Sequence, residues 1–145
     1  MLKRALHSKA AFTLLEIMLV VMIIALLAGS VIFMMGDQLE DARKSRAQAE
    51  IKSIGVYLMM YNAANGFYPS TEQGLKALIS KPDTEPRPRS WKQHMKEVPV
   101  DGWNSPYNYE SPGKRNPESY DLFSSGKDRI PGTADDIGNW KAAET

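Results

Sequence analysis

From Phe12 to Met35 the chain reads FTLLEIMLVVMIIALLAGSVIFMM, 24 residues with one charge, Glu16. As a helix rising about 1.5 Å per residue, such a run spans the roughly 30 Å hydrocarbon core of a bilayer. No proline interrupts residues 1–68. A single helix is therefore predicted from about Thr13 to about Ala64, a rod of ~75 Å. Its second half changes character. Leu39, Ala42, Arg46 and Ala49 begin a sparse stripe, and Ile51, Ile54, Leu58 and Tyr61 continue it at helical spacing. Arg43, Lys44, Gln48, Glu50 and Lys52 fall on the opposite face. A half that is apolar all round belongs in lipid or in a packed core of helices, and an amphipathic half belongs on a globular domain. Asn65-Gly66 supplies the C-cap and Pro69 enforces the stop.

Beyond the helix the chain is punctuated. Ser70-Thr71-Glu72-Gln73 offers an N-cap with acid in the first turn, predicting a short helix over about Glu72–Ser80. Prolines at 82, 86, 88, 99, 106 and 112 forbid long helices after that. Short strands are predicted around Tyr107–Glu110 and Tyr120–Phe123. The fold class is α+β, a long helix packed on a small antiparallel sheet. Trp91, Trp103, Tyr107, Tyr109 and Trp140 are read as packing residues, and His94 as surface.

The first eleven residues, MLKRALHSKAA, carry Lys3, Arg4 and Lys9 and no acid. A basic flank stays cytoplasmic, so the rest of the chain should lie across the membrane. A cleaved signal peptide would instead use Ala28-Gly29-Ser30 as its site; the length of the apolar run favours a retained anchor. The organisation is thus 1–11 leader, 12–36 anchor helix and 37–145 globular domain.

The 145 residues hold no cysteine and a formal charge of +1. That rules out disulfides and thiolate metal sites, and gives no bulk charge for nucleic acid. Glu40, Asp41 and Glu50 offset Arg43, Lys44 and Arg46, which reads as a solvated helix face with ion pairs. Neither a nucleophile–base pair nor a phosphate-binding Gly-rich loop is visible.

Two features carry candidate chemistry. An acid inside a membrane span is expensive and usually functional. If the chain were cut between Ala11 and Phe12, the new α-amino group could pair with Glu16 of a neighbouring subunit. Alternatively Glu16 lies near the interface and reaches the headgroups; position alone leaves the two open. The second feature is DLFSSGKDRIPGTADDIGNW, residues 121–140. Asp128, Asp135 and Asp136 fall within nine residues, and Gly126, Pro131 and Gly132 bend the segment. Calcium takes six to eight oxygens, carboxylate and carbonyl, in a flexible loop. With no His or Cys nearby, zinc does not suit the segment. On composition alone a solvated acidic turn remains the commoner explanation.

The junction Lys9-Ala-Ala-Phe-Thr-Leu-Leu-Glu16 before an apolar run resembles the class III leader of type IV pilins and pseudopilins. The blocks Tyr68-Pro-Ser-Thr-Glu-Gln-Gly-Leu-Lys-Ala-Leu78 and Asp135-Asp-Ile-Gly-Asn-Trp140 resemble the major, G-type pseudopilin of type II secretion. So do Tyr61–Gly66, Pro106-Tyr107, Pro112-Gly113 and Tyr120-Asp-Leu122. The resemblance implies cleavage by a prepilin peptidase between Ala11 and Phe12, methylation of the new amino group, and a role for Glu16 in assembly. Ala11 stands where the family usually has Gly. It further implies calcium held by Asp128, Asp135 and Asp136 with the carbonyls of Ser125 and Ile130. The family commonly reads Ser-x-Gly-Ala-Asp-Gly here, whereas Lys127 and Arg129 flank Asp128 in this chain. Implied partners are further copies in a homopolymer, minor pseudopilins and an inner-membrane assembly platform. The implied place is the bacterial inner membrane, single-pass, with a periplasmic domain. Removing Lys3, Arg4 and Lys9 from 18 basic residues leaves 15 against 17 acids, a formal charge of −2, which disfavours nucleic acid. The alternative reading is a type IV pilin-like subunit for adhesion or DNA uptake.

Overall fold

The computed structural model describes residues 12–140, with the backbone alone described over 30–36. Its elements are α1 (Leu14–Asn65), a 3-10 helix (Gly74–Leu78), β1 (Asn108–Glu110), β2 (Asp121–Ser124) and β3 (Ile137–Gly138). The chain divides into two compact units, one through Leu39 and one from Glu40 onward.

In the first unit α1 is the only element among the described residues. Thr13 caps it: the Glu16 N–H donates to Thr13 Oγ1 at 3.2 Å and to the Thr13 carbonyl at 3.1 Å. Thirteen large apolar side chains from Phe12 to Leu27 are each at least 46% exposed. Among the described residues no helix is long and apolar enough to cross a membrane. The side chains over 30–36, the second part of the apolar run, lie outside the described part.

In the second unit α1 carries the core seam, Ala47, Ile51, Ile54, Leu58 and Tyr61. Intervals of four and three residues hold these side chains on one face. The seam corrects the predicted stripe at its upstream end. Leu39, Ala42, Arg46 and Ala49 are exposed, and Ala47 is fully buried. The reason is one turn back. The Arg43 stem packs on the backbone of Gly102, where a Cβ would meet Arg43 Cβ at 2.8 Å. A long aliphatic stem serves as an apolar residue there while its charged end stays wet. The predicted ion pairs form, Arg46 Nε to Glu50 at 2.9 Å and Arg43 to Glu40 at 3.8 Å.

The helix ends as its sequence requires. Gly66 takes φ 86° and its N–H donates to the Asn62 carbonyl at 2.7 Å. Ser70 and Gln73 then cap each other, Gln73 N–H to Ser70 Oγ and Ser70 N–H to Gln73 Oε1, both at 3.2 Å. The helix predicted over Glu72–Ser80 is shorter and tighter than expected. Gly74 at φ 56° breaks α geometry, leaving one 3-10 segment that buries Leu75, Ala77 and Leu78.

The strands form one antiparallel sheet in the order β1-β2-β3. Tyr109 pairs with Leu122, and Ser124 with Ile137. Leu122 is fully buried, and Tyr107 and Tyr120 are each 7% exposed. They close the core with the helix seam and the 3-10 segment. The aromatics pack as expected, Trp103 buried and Trp91 and Trp140 partly so. His94 is half-buried, its ring 6.4 Å from that of Tyr57.

Candidate functional site

The two predicted sites fall in different units. Phe12 is 75% exposed just before α1, and Glu16 is exposed in its first turn. Ala11 lies outside the described residues. Thr13-Leu-Leu-Glu16 has the spacing of a capping box, and its Thr half is formed. Glu16 thus has a local role beside the assembly role expected of it: a carboxylate in the first turn complements the helix dipole.

The acidic loop follows β2. Ser125 is 4% exposed, its hydroxyl accepting from Asn108 Nδ2 at 2.9 Å. Gly126, at φ 66°, lies against the backbone of Asp135 so closely that a Cβ would collide with the Asp135 carbonyl. The neck of the loop, Ser125-Gly126 against Asp135, is therefore closed by glycine. Asp128 Oδ1 accepts the Ile130 N–H and Asp136 Oδ2 accepts the Gly132 N–H, both at 2.8 Å. The Ile130 carbonyl accepts Thr133 Oγ1 at 3.3 Å.

The carboxylates are not drawn into one group. Among the described residues no three Asp, Glu, His or Cys side chains converge to hold a metal. One observation nevertheless suits a cation. Asp136 Oδ1 is buried with no hydrogen-bond partner. A buried, unpartnered carboxylate oxygen is costly, and a hard cation would satisfy it. The donors available are all oxygen, on a loop bent by glycine and proline. The residues fit calcium in donor chemistry.

The loop rests on buried polar side chains that sequence reasoning passed over. Asp101 is 2% exposed. Its Oδ1 accepts the N–H groups of Trp103 at 3.0 Å and Ser105 at 2.7 Å, and its Oδ2 accepts the Ser124 hydroxyl. Asp121, 3% exposed, accepts the N–H groups of Arg115 at 2.7 Å and Asn116 at 3.0 Å. Gly113 passes so close that a Cβ would overlap the Asp121 carboxylate. Two acids thus satisfy backbone donors in segments without regular structure, as buried donors require. The available signal was Asp-Gly-Trp-Asn-Ser105, an acid opening a turn.

Trp140 folds back on Gly138 and meets Phe123 with ring centroids 5.3 Å apart. The Arg115 guanidinium lies 4.2 Å above its ring. Glu50 links the helix to the residue before β1, accepting from Tyr107 Oη at 2.6 Å. Burial first, and that bond second, push the Tyr107 phenol well above its usual range.

A long capped helix, a three-stranded sheet and a glycine-necked acidic loop can be compared with known proteins. A sequence model of the family described as type II secretion system (T2SS), protein G, matches residues 34–140. The type II secretion system core protein G of Pseudomonas aeruginosa is 42% identical over 139 residues, covering 92% of this chain and 96% of that protein. The core protein G of Escherichia coli K12 is 38% identical over 139 residues, covering 94% of each. Among solved structures, the major pseudopilin from the type 2 secretion system of enterohaemorrhagic E. coli aligns with a TM-score of 0.65 at 39% identity. It covers 73% of this chain and 92% of that one. The chain is a member of the type II secretion system protein G family.

Proposed function

We propose that this chain is the major structural subunit of a type II secretion pseudopilus, an inner-membrane-anchored filament protein rather than an enzyme. The observation that carries this reading is the exposed apolar stretch of α1 from Leu14 to Leu27, interrupted by Glu16 alone. Apolar surface on that scale needs a cover, and lipid and neighbouring helices both supply one. A prepilin peptidase removes residues 1–11, and the new Phe12 amino group is methylated. Before assembly the helix sits in the inner membrane with the domain from residue 37 in the periplasm. In the filament Glu16 pairs with the amino group of the next copy, and a paired charge is tolerated where a lone one is not. Minor pseudopilins and an inner-membrane assembly platform complete the machine, which moves folded proteins across the outer membrane. Family membership favours this export role over adhesion or DNA uptake.

Calcium completes the domain in this reading. Asp128, Asp135 and Asp136 would hold it with the carbonyls of Ser125 and Ile130. Bound there, it would draw the three acids together and cross-link the loop of a domain that has no disulfide. The support is the orphaned Asp136 oxygen and the closed neck at Gly126.

Expression in a strain lacking its own core protein G tests the assembly role. Glu16→Ala should leave the protein in the membrane yet abolish filaments and export; intact filaments would sink the pairing role. A thermal melt of the full chain in detergent tests calcium. Ligand at about 100 times Kd stabilises by roughly 2.7 kcal/mol, raising Tm by roughly 10 °C or more. That shift should vanish in Asp136→Ala, and no shift in the parent chain would make the loop a solvated turn.

A further inference from the structure

Arg129 adopts φ 59°, in the left-handed region. A residue with a Cβ stays there when surrounding contacts over-determine it. The contact present is long-range. Arg129 Nη2 donates to the Trp103 carbonyl at 2.8 Å, across 26 positions of chain. That carbonyl belongs to a fixed turn, because the N–H groups of Trp103 and Ser105 are both held by buried Asp101. The other Asp101 oxygen takes the Ser124 hydroxyl, and Ser124 Oγ in turn accepts the Gly126 N–H at 3.1 Å. The contacts close a ring: Arg129 to Trp103, to Asp101, to Ser124, to Gly126, and along the chain back to Arg129. The first arm of the acidic loop is thereby pinned at both ends to the 101–105 turn.

We propose that Arg129 is a positioning residue for the cation loop. Its guanidinium clamps residues 126–129 to the 101–105 turn, so the loop keeps its shape before a divalent cation arrives. The clamp also directs one of the guanidinium's five N–H donors at a carbonyl rather than at the neighbouring carboxylates. A loop ordered in advance binds its ion more tightly than one that must first close, because only the closed fraction is competent. The link to calcium rests on the reading above; the clamp itself does not need it.

The test is hydrogen exchange of the full chain in detergent, first with chelator and then with calcium chloride. Parent, Arg129→Ala and Arg129→Gly are compared; glycine accepts φ 59° without strain, so folding is not at stake in that variant. With chelator, both variants should exchange about tenfold faster over 126–136, the scale of one charged hydrogen bond. Exchange over 51–61 should not change. Calcium should restore most of the protection, at a higher half-saturating concentration than the parent needs. Exchange at the parent rate in Arg129→Ala would overturn the clamp, whatever Arg129→Gly does, since glycine alone adds chain flexibility. Faster exchange spread over 51–61 would also overturn it, by making the effect global. If calcium fails to slow exchange in the parent while both variants open the loop, the calcium reading falls and the clamp stands. If calcium protects the parent while neither variant exchanges faster with chelator, the clamp falls and the calcium reading stands.

Discussion

Leu14–Leu27 and Ile51–Tyr61 are two stretches of the same helix with opposite fates. In the first, every large apolar side chain is exposed; in the second, Ile51, Ile54, Leu58 and Tyr61 are nearly or fully buried by the chain's own sheet and 3-10 segment. The apolar period explains the difference. Residues 51–61 keep one face for the core and turn polar Lys52 and Ser53 outward beside exposed Val56, Met59 and Met60, whereas residues 14–27 have no polar face to turn to water. The second stretch stabilises this domain, while the first leaves its apolar surface without cover from the chain's described residues.

Substitutions can separate the two. The largest effect is expected from Leu58→Ala, at a fully buried position. Such truncations cost about 2–5 kcal/mol, and Tm should fall by roughly 10 °C or more. Membrane fractionation should not change; release of the variant from the membrane would break the comparison. Ile23→Asp is the converse. A central acid opposes insertion by about 2.5–3.5 kcal/mol, so the variant should move to the soluble fraction with an unchanged domain melt.

Ser124→Ala removes the hydroxyl that joins Asp101 to the Gly126 amide. A buried polar group left unpaired costs about 1–3 kcal/mol, read as a fall in Tm. The alkaline limb of stability should be steep for the domain. Burial raises the phenols of Tyr107 and Tyr109 above the usual value of 10.0. The unfolded chain then loses those protons first, so their contribution is complete below about pH 10 and is lost as pH rises above it. Tyr109→Phe should flatten that limb in melts at increasing pH. The smallest effect is expected from Arg46→Ala, whose ion pair with Glu50 is exposed on the arginine side. Its Tm should match the parent, and a clear fall would mean Glu50 needs Arg46 to hold Tyr107.

Period and punctuation made much of this legible. The helix was expected from about Thr13 to about Ala64 and runs Leu14–Asn65; two of the three strands fall within a residue of their expected places. β3 was missed because two residues cannot show an alternation. The upstream stripe was misplaced because Arg43 works through its stem, which a hydrophobic pattern counts as polar. Asp121 was unreadable for a related reason, and Asp101 announced only a turn. A buried acid in a turn looks like a solvated one until its backbone donors are known. The acidic loop was visible as composition, while the neck at Gly126 and the Arg129 contact are matters of distance.

Asp121 and Asp101 also differ in how far along the chain they reach. Asp121 captures amides five and six positions back, a closure that a short segment can make as soon as it exists. Asp101 waits for Ser124, 23 positions on. Bringing distant residues together costs more chain entropy and comes later. A chain emerging from its N-terminus therefore carries Asp101 with only its local bonds to Trp103 and Ser105 until β2 is in place. The turn at 101–105 can form on its own bonds, and the tie to the loop after β2 is added when Ser124 arrives.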